Sequence, residues 1–180
     1  MKPAPPVTRI FVEVNVIEAE VVKAVRADVA PAFVRRVLTR AAMVPEVAAR
    51  LPGGECTVAV RITSDEEMAQ LNRDYAGDDH ATDVLSFAGS GSHLGDIAIS
   101  WPAAVRQAAE YRHDHKTEVA LLAVHGLLHL LGWDHVTGAE RREMSRLTIA
   151  ALDRSRIKPG RKWVWSGYTP VRGLRRSPRA

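Results

Sequence analysis

Residues 118–133, EVALLAVHGLLHLLGW, are an apolar run that follows an opening glutamate and is broken only by two histidines and two glycines. The run is too short and too polar to cross a bilayer, which needs about 20 apolar residues. It reads instead as a core helix from about Lys116 to Leu131. On that helix His125 and His129, four residues apart, stack on one face with their imidazoles pointing the same way. Gly132 falls where helices end in a left-handed residue, and three residues later His135 can return from the loop as a third ligand. Three histidines with one position open are the ligand pattern of a catalytic zinc; structural zinc sites are closed by four protein ligands and rich in cysteine. The chain has one cysteine, Cys56, far from this stretch.

H-x3-H-x5-H with a glycine between the second and third histidines is also the metzincin peptidase spacing, with one departure. The position that carries the general-base glutamate in those enzymes is Gly126 here. The scaffold is zincin-like, but the group that activates water for peptide hydrolysis is missing.

HGLLHLLGWDH at 125–135, LNRDYAGDDHATDVLSF at 71–87, LGDIAIS at 94–100 and Glu118 together resemble the YbeY-type endoribonucleases, over roughly residues 55–150. The resemblance implies a single α+β domain with the metal helix against the sheet. It also implies a metal-dependent hydrolase acting in ribosomal RNA maturation. One position departs from the pattern: the arginine that follows the tyrosine, proposed to meet phosphate, is Ala76 after Tyr75. Arg73, three residues earlier and on the same side of a helix, either substitutes for it or is a solvated surface arginine.

The rest of the chain fits this frame. It has 180 residues, enough for one domain with short extensions. The start, MKPAPPV, has no apolar signal core. With the lone cysteine, this points to a reducing, cytoplasmic location. The formal charge of +4 is unevenly distributed: residues 154–180 hold nine Lys/Arg and no acid, leaving sixteen basic against twenty-one acidic residues elsewhere. The chain therefore divides into a Pro-rich lead-in (1–6), a hydrolase domain (7–153) and a basic tail (154–180). Arg161, Lys162, Trp163, Trp165, Arg175 and Arg176 interleave cations with aromatics, the composition of a flexible RNA-binding extension.

Alternation predicts a first strand over Val7–Ile17, with Ile10, Val12, Val14 and Val16 on one face; Glu18–Ala30 reads equally as loop or helical preface. A helix begins near Pro31 and fades by Leu51. Glu55–Ile62 is a strand, and Ser64 with Glu67 forms a capping box that starts a helix to about Tyr75. Thr82–Phe87 and Leu94–Ser100 form a hairpin, Pro102 opens a helix to about Arg112, and Thr137 caps the last helix. The sum is a single-domain α+β fold, a mixed four-stranded sheet with about five helices.

The site expected from these readings is one Zn2+ on His125, His129 and His135, with Glu118, Arg73 and Asp83 as catalytic candidates. Glu118, two helical turns before His125, either orients a ligand or is a solvated helix-start carboxylate. Asp134 either meets a histidine N–H or caps its turn, and Asp96 is a possible partner of a ligand. His80, His93, His113 and His115 have no ligand spacing and read as surface residues. The function expected is a single-strand-specific endoribonuclease in rRNA maturation and ribosome quality control. Its partners would be rRNA and the ribosome or its proteins, with no DNA and no membrane. Two rivals follow from the departures: an RNA-binding ribosome-assembly factor that cuts weakly, from Ala76, and a zincin-like peptidase or amidohydrolase using a base other than position 126.

Overall fold

The computed structural model describes residues 16–76 and 82–160. The elements are β1 (Val16–Lys23), α1 (Pro31–Ala41), α2 (Pro45–Ala48), β2 (Glu55–Thr63) and α3 (Asp65–Ala76). Then come β3 (Val84–Ala88), β4 (His93–Ser100), α4 (Trp101–Tyr111), α5 (His115–Leu130) and α6 (Gly138–Arg154). The sheet runs in the order β1-β2-β4-β3. Both pairs of the first three strands are parallel, and β3 joins β4 as the expected antiparallel hairpin. The mixed four-stranded sheet of an α+β domain is as expected, with six helices rather than about five. The extra one arises because the helix begun at Pro31 stops at Ala41 and Pro45 starts a separate short turn.

One face of the sheet carries Ile17, Cys56, Val58, Val60, Ile62, Ile97, Ile99 and Val84, all buried. Against this face lies α5, apolar all round rather than on one stripe, as a helix enclosed on every side must be. It touches α1, α4, α6, β3 and β4. α3 covers the reverse face of β3 and β4 by packing Met68 and Leu71 on Leu85, Phe87 and Ala98.

The first strand departs from its sequence reading. Residues 7–15 lie outside the described residues, and β1 occupies what read as loop or helical preface. Its phase is also opposite: Val16 is 44% exposed while Ile17 and Ala19 face the core. The apolar alternation on even positions through Val16 drew the register one residue off, and a one-residue slip exchanges the two faces of a strand. The capping box at Ser64 is half made. Glu67 N–H donates to Ser64 Oγ at 3.3 Å, but the Glu67 carboxylate turns to Arg61 and Thr63 instead of returning to the cap.

Candidate metal centre

α5 begins at Asp114, whose carboxylate accepts from Thr117 N–H at 2.6 Å, and runs sixteen residues into the core. It ends in a Schellman motif. Trp133 N–H donates to Leu128 O at 3.0 Å and Gly132 N–H to His129 O at 2.9 Å, with Gly132 at φ 85°. This left-handed turn reverses the chain and brings His135 over the two helical histidines.

The candidate ligand nitrogens of His125, His129 and His135 all lie within 4.8 Å of one another. The Nε2 atoms of His125 and His129 are 3.0 Å apart. Nitrogens bound tetrahedrally at about 2.0–2.1 Å from zinc stand roughly 3.3 Å from each other, so the His125–His129 pair stands near the separation one ion requires, with His135 close by. Trp133 O accepts from His129 Nδ1–H at 3.0 Å, leaving the Nε2 lone pair free for a metal. Burial, reinforced by the neighbouring imidazoles, holds His125 well below the usual histidine range. Burial and His135 bring His129 down to about 4, so both rings are neutral at pH 7 as ligands must be. The donor set therefore fits a single divalent ion. Among the described residues it stops at three protein donors.

The loop carrying His135 is fastened from outside. The Arg50 guanidinium lies 3.6 Å over the Trp133 ring and its Nη1 donates to Leu131 O at 3.2 Å, while Trp133 Nε1 reaches Glu143 at 3.5 Å. Asp134 takes the turn role: its Oδ1 accepts from His135 N–H at 2.7 Å.

The structure also explains Gly126. A Cβ there would stand 2.8 Å from Ile97 Cγ2 and 3.0 Å from Ser86 Oγ, and the Ser86 hydroxyl donates to Gly126 O at 3.3 Å. Strands β3 and β4 press on the helix at the point where a metzincin carries its glutamate. A side chain there would have to displace Ile97 and Ser86, so the packing disfavours a base at the peptidase position.

At the start of α5 lies a buried polar cluster. Glu118 is fully buried, which removes its reading as a solvated helix-start carboxylate, and His113, read as a surface residue, is buried against it. Gly160 N–H donates to His113 Nδ1 at 3.0 Å, so Nε2 carries the proton and donates to Glu118 Oε2. Burial raises the Glu118 carboxyl above the ordinary range, against the opposing pull of His113, and Asp83 raises it further. Asp83 is itself buried, accepting from Val84 N–H and from Gln107 Nε2, each at 2.8 Å. The one sequence signal for His113 was its place five residues before Glu118, across a helix start.

The remaining candidates lie elsewhere. Asp96 is exposed, 3.6 Å from His93, on the face opposite Ile97 and the metal helix; it is no partner of a ligand. Arg73 lies exposed on α3 and donates to Gln70 Oε1 at 2.7 Å. His93 meets Thr57 Oγ1 at 3.0 Å and His115 meets Asp28 O at 3.1 Å. His80 and the tail residues Arg161, Lys162, Trp163, Trp165, Arg175 and Arg176 lie outside the described residues.

Residues 17–156 match the family described as Endoribonuclease YbeY. The chain belongs to the YbeY family. Among curated members it is 45% identical over 133 residues to the Endoribonuclease YbeY of Chloroflexus aurantiacus, covering 64% of this chain and 86% of that one. It is 39% identical over 155 residues to the Roseiflexus castenholzii YbeY, covering 78% and 94%. The solution structure of a Thermotoga maritima protein shares its fold, with a TM-score of 0.53 at 20% identity, over 77% of this chain and 92% of that one. The family match spans β1 to α6 and so includes all three histidines, Glu118 and His113. No helix among the described residues is long and apolar enough to cross a membrane.

Proposed function

We propose that this chain is a zinc-dependent, single-strand-specific endoribonuclease that acts on rRNA in ribosome maturation and quality control. The observation that carries the reading is the three-histidine cluster, with the His125 and His129 rings held neutral by burial, in a chain of the YbeY endoribonuclease family. A zinc ion held by His125, His129 and His135 would supply Lewis acidity toward a phosphoryl oxygen and lower the pKa of a bound water.

The chain's own residues account for the choice of substrate. Position 126 holds no base and is crowded by Ile97 and Ser86, which weighs against peptide and amide hydrolysis. RNA brings its own nucleophile: the 2′-oxygen attacks phosphorus, its proton passes to a base, and the 5′-oxygen leaves. A site without a built-in glutamate is less handicapped for that reaction. His129 is fixed in one tautomer by Trp133 O, and His125 is oriented by its enclosed helix. Glu118 and Asp83 are the catalytic carboxylates of this reading; both are buried, Glu118 against His113 and Asp83 against Gln107. Arg73 is the cation assigned to phosphate in place of the arginine lost at Ala76. The division into a domain of residues 7–153 and a basic RNA-binding tail of 154–180 belongs to the same reading, as do the ribosomal partners and the cytoplasmic location.

The test is cleavage of a single-stranded rRNA fragment by the purified protein, beside the same protein with chelator and beside His129→Ala. Cutting that disappears in both controls, with the matching DNA strand left intact, is the expected result. Zinc bound with no RNA cut would overturn it in favour of an RNA-binding assembly factor, the reading that Ala76 supports.

A further inference from the structure

Along α3, Met68, Leu71 and Asn72 form the stripe turned toward β3 and β4, and they are buried or half-buried. Tyr75 continues that stripe, seven residues after Met68, and by helical periodicity it belongs against the sheet. It is nevertheless 66% exposed, among the most exposed large hydrophobic side chains of the described residues. Its ring is not loose: it meets Phe87 edge-to-face, with centroids 5.0 Å apart and planes at 62°. One side of an aromatic ring is thus held by the protein while the rest is open to solvent.

The position of Phe87 gives this pair its meaning. Phe87 follows Ser86, whose hydroxyl bonds the carbonyl of Gly126, the residue next to the ligand His125. β3 is at the edge of the sheet. Successive strand residues point to opposite faces, so Ser86 looks toward the metal helix while Phe87 looks toward Tyr75, about 3.3 Å further along the same edge. The Tyr75–Phe87 pair therefore lies on the outer side of the edge strand whose inner side contacts the metal helix.

We infer that Tyr75, braced by Phe87, is a stacking platform for an unpaired nucleobase of the RNA strand. The inference rests on the RNA-cleaving function proposed above and adds a substrate subsite to it. An aromatic face accepts any base, so the site would select for single-stranded character rather than for sequence. Because Phe87 already restricts the ring, less rotamer freedom is lost when a base arrives.

The experiment compares equilibrium binding of a short oligoribonucleotide with that of an abasic oligomer of the same length and charge, to wild type, Tyr75→Leu and Tyr75→Phe, together with each protein's thermal midpoint. Wild type is expected to prefer the base-bearing strand about tenfold. Tyr75→Leu, which keeps an apolar group on Phe87, should lose that preference at an unchanged midpoint, and Tyr75→Phe should retain it. Equal binding of the two oligomers by wild type overturns the platform without recourse to any variant. If wild type cuts RNA and Tyr75→Leu binds both oligomers as wild type does, the platform fails while the function stands. If wild type neither binds nor cuts RNA, the function fails first and the platform with it.

Discussion

Gly126 shows how one residue can separate two chemistries that share a ligand spacing. An exposed helical glycine gains about 1 kcal/mol when replaced by alanine. Here the new methyl would press on Ile97 and Ser86 inside a packed face, where overpacking costs about 1–3 kcal/mol. Gly126→Ala is therefore expected to be less stable than wild type by about 1 kcal/mol, measured by urea unfolding; a gain in stability would show that Ile97 gives way. Glu118 offers a second test at this scale. Its carboxyl is raised by burial, so the folded protein holds that proton more tightly than the unfolded chain does. The stability this confers is complete below the ordinary glutamate range and is lost as pH rises through the folded value. Glu118→Gln can still accept from His113 and does not ionise, so its stability relative to wild type should increase from pH 4 upward until Glu118 is fully ionised. Parallel stability curves for the two proteins would show that Glu118 keeps an ordinary titration.

At the scale of elements, the metal helix and its exit turn were legible because every cue lay within a few residues: an apolar run without a polar stripe, a histidine pair at i and i+4, and a glycine at the left-handed position. What fastens that turn was not legible, since Arg50 reaches Trp133 from a segment eighty-three positions away in sequence. His113 was misread for a similar reason. Its burial depends on Gly160 and on the start of α5 folding over it, and neither contact has a local signature. β1 was displaced because an alternating run fixes that a strand exists more firmly than it fixes phase or ends. The Arg50–Trp133 stack also has a measurable consequence. Trp133 O orients His129, and Trp133 precedes the loop that carries His135. Trp133→Ala leaves all three ligands in place but frees that loop, and zinc affinity is expected to fall about 10- to 100-fold in a chelator competition. Unchanged affinity would mean that the histidines hold the loop unaided.

On the scale of the whole molecule, the charge distribution opposes the proposed substrate everywhere except at the C-terminus. Residues 1–153 carry a net formal charge of −5, and a polyanion approaching the metal cluster meets an acidic body. Nine Lys/Arg without a single acid follow from residue 154, six of them beyond Gly160. Gly160 is tied to His113, and through it to Glu118 on α5, so the residue that precedes the last six cations is tethered to the helix that carries His125 and His129. Each phosphate neutralised on a single strand contributes roughly −0.7 to the slope of log affinity against log salt. If all six cations beyond Gly160 engage phosphates, a chain ending at Gly160 should show a slope shallower by about 4, with RNA affinity at low salt reduced by orders of magnitude. The three histidines and the Gly160 tether are intact in that chain, so cleavage at saturating RNA should persist while the apparent KM rises. A salt slope unchanged by the truncation would assign RNA capture to the folded domain and leave the tail without a part in it.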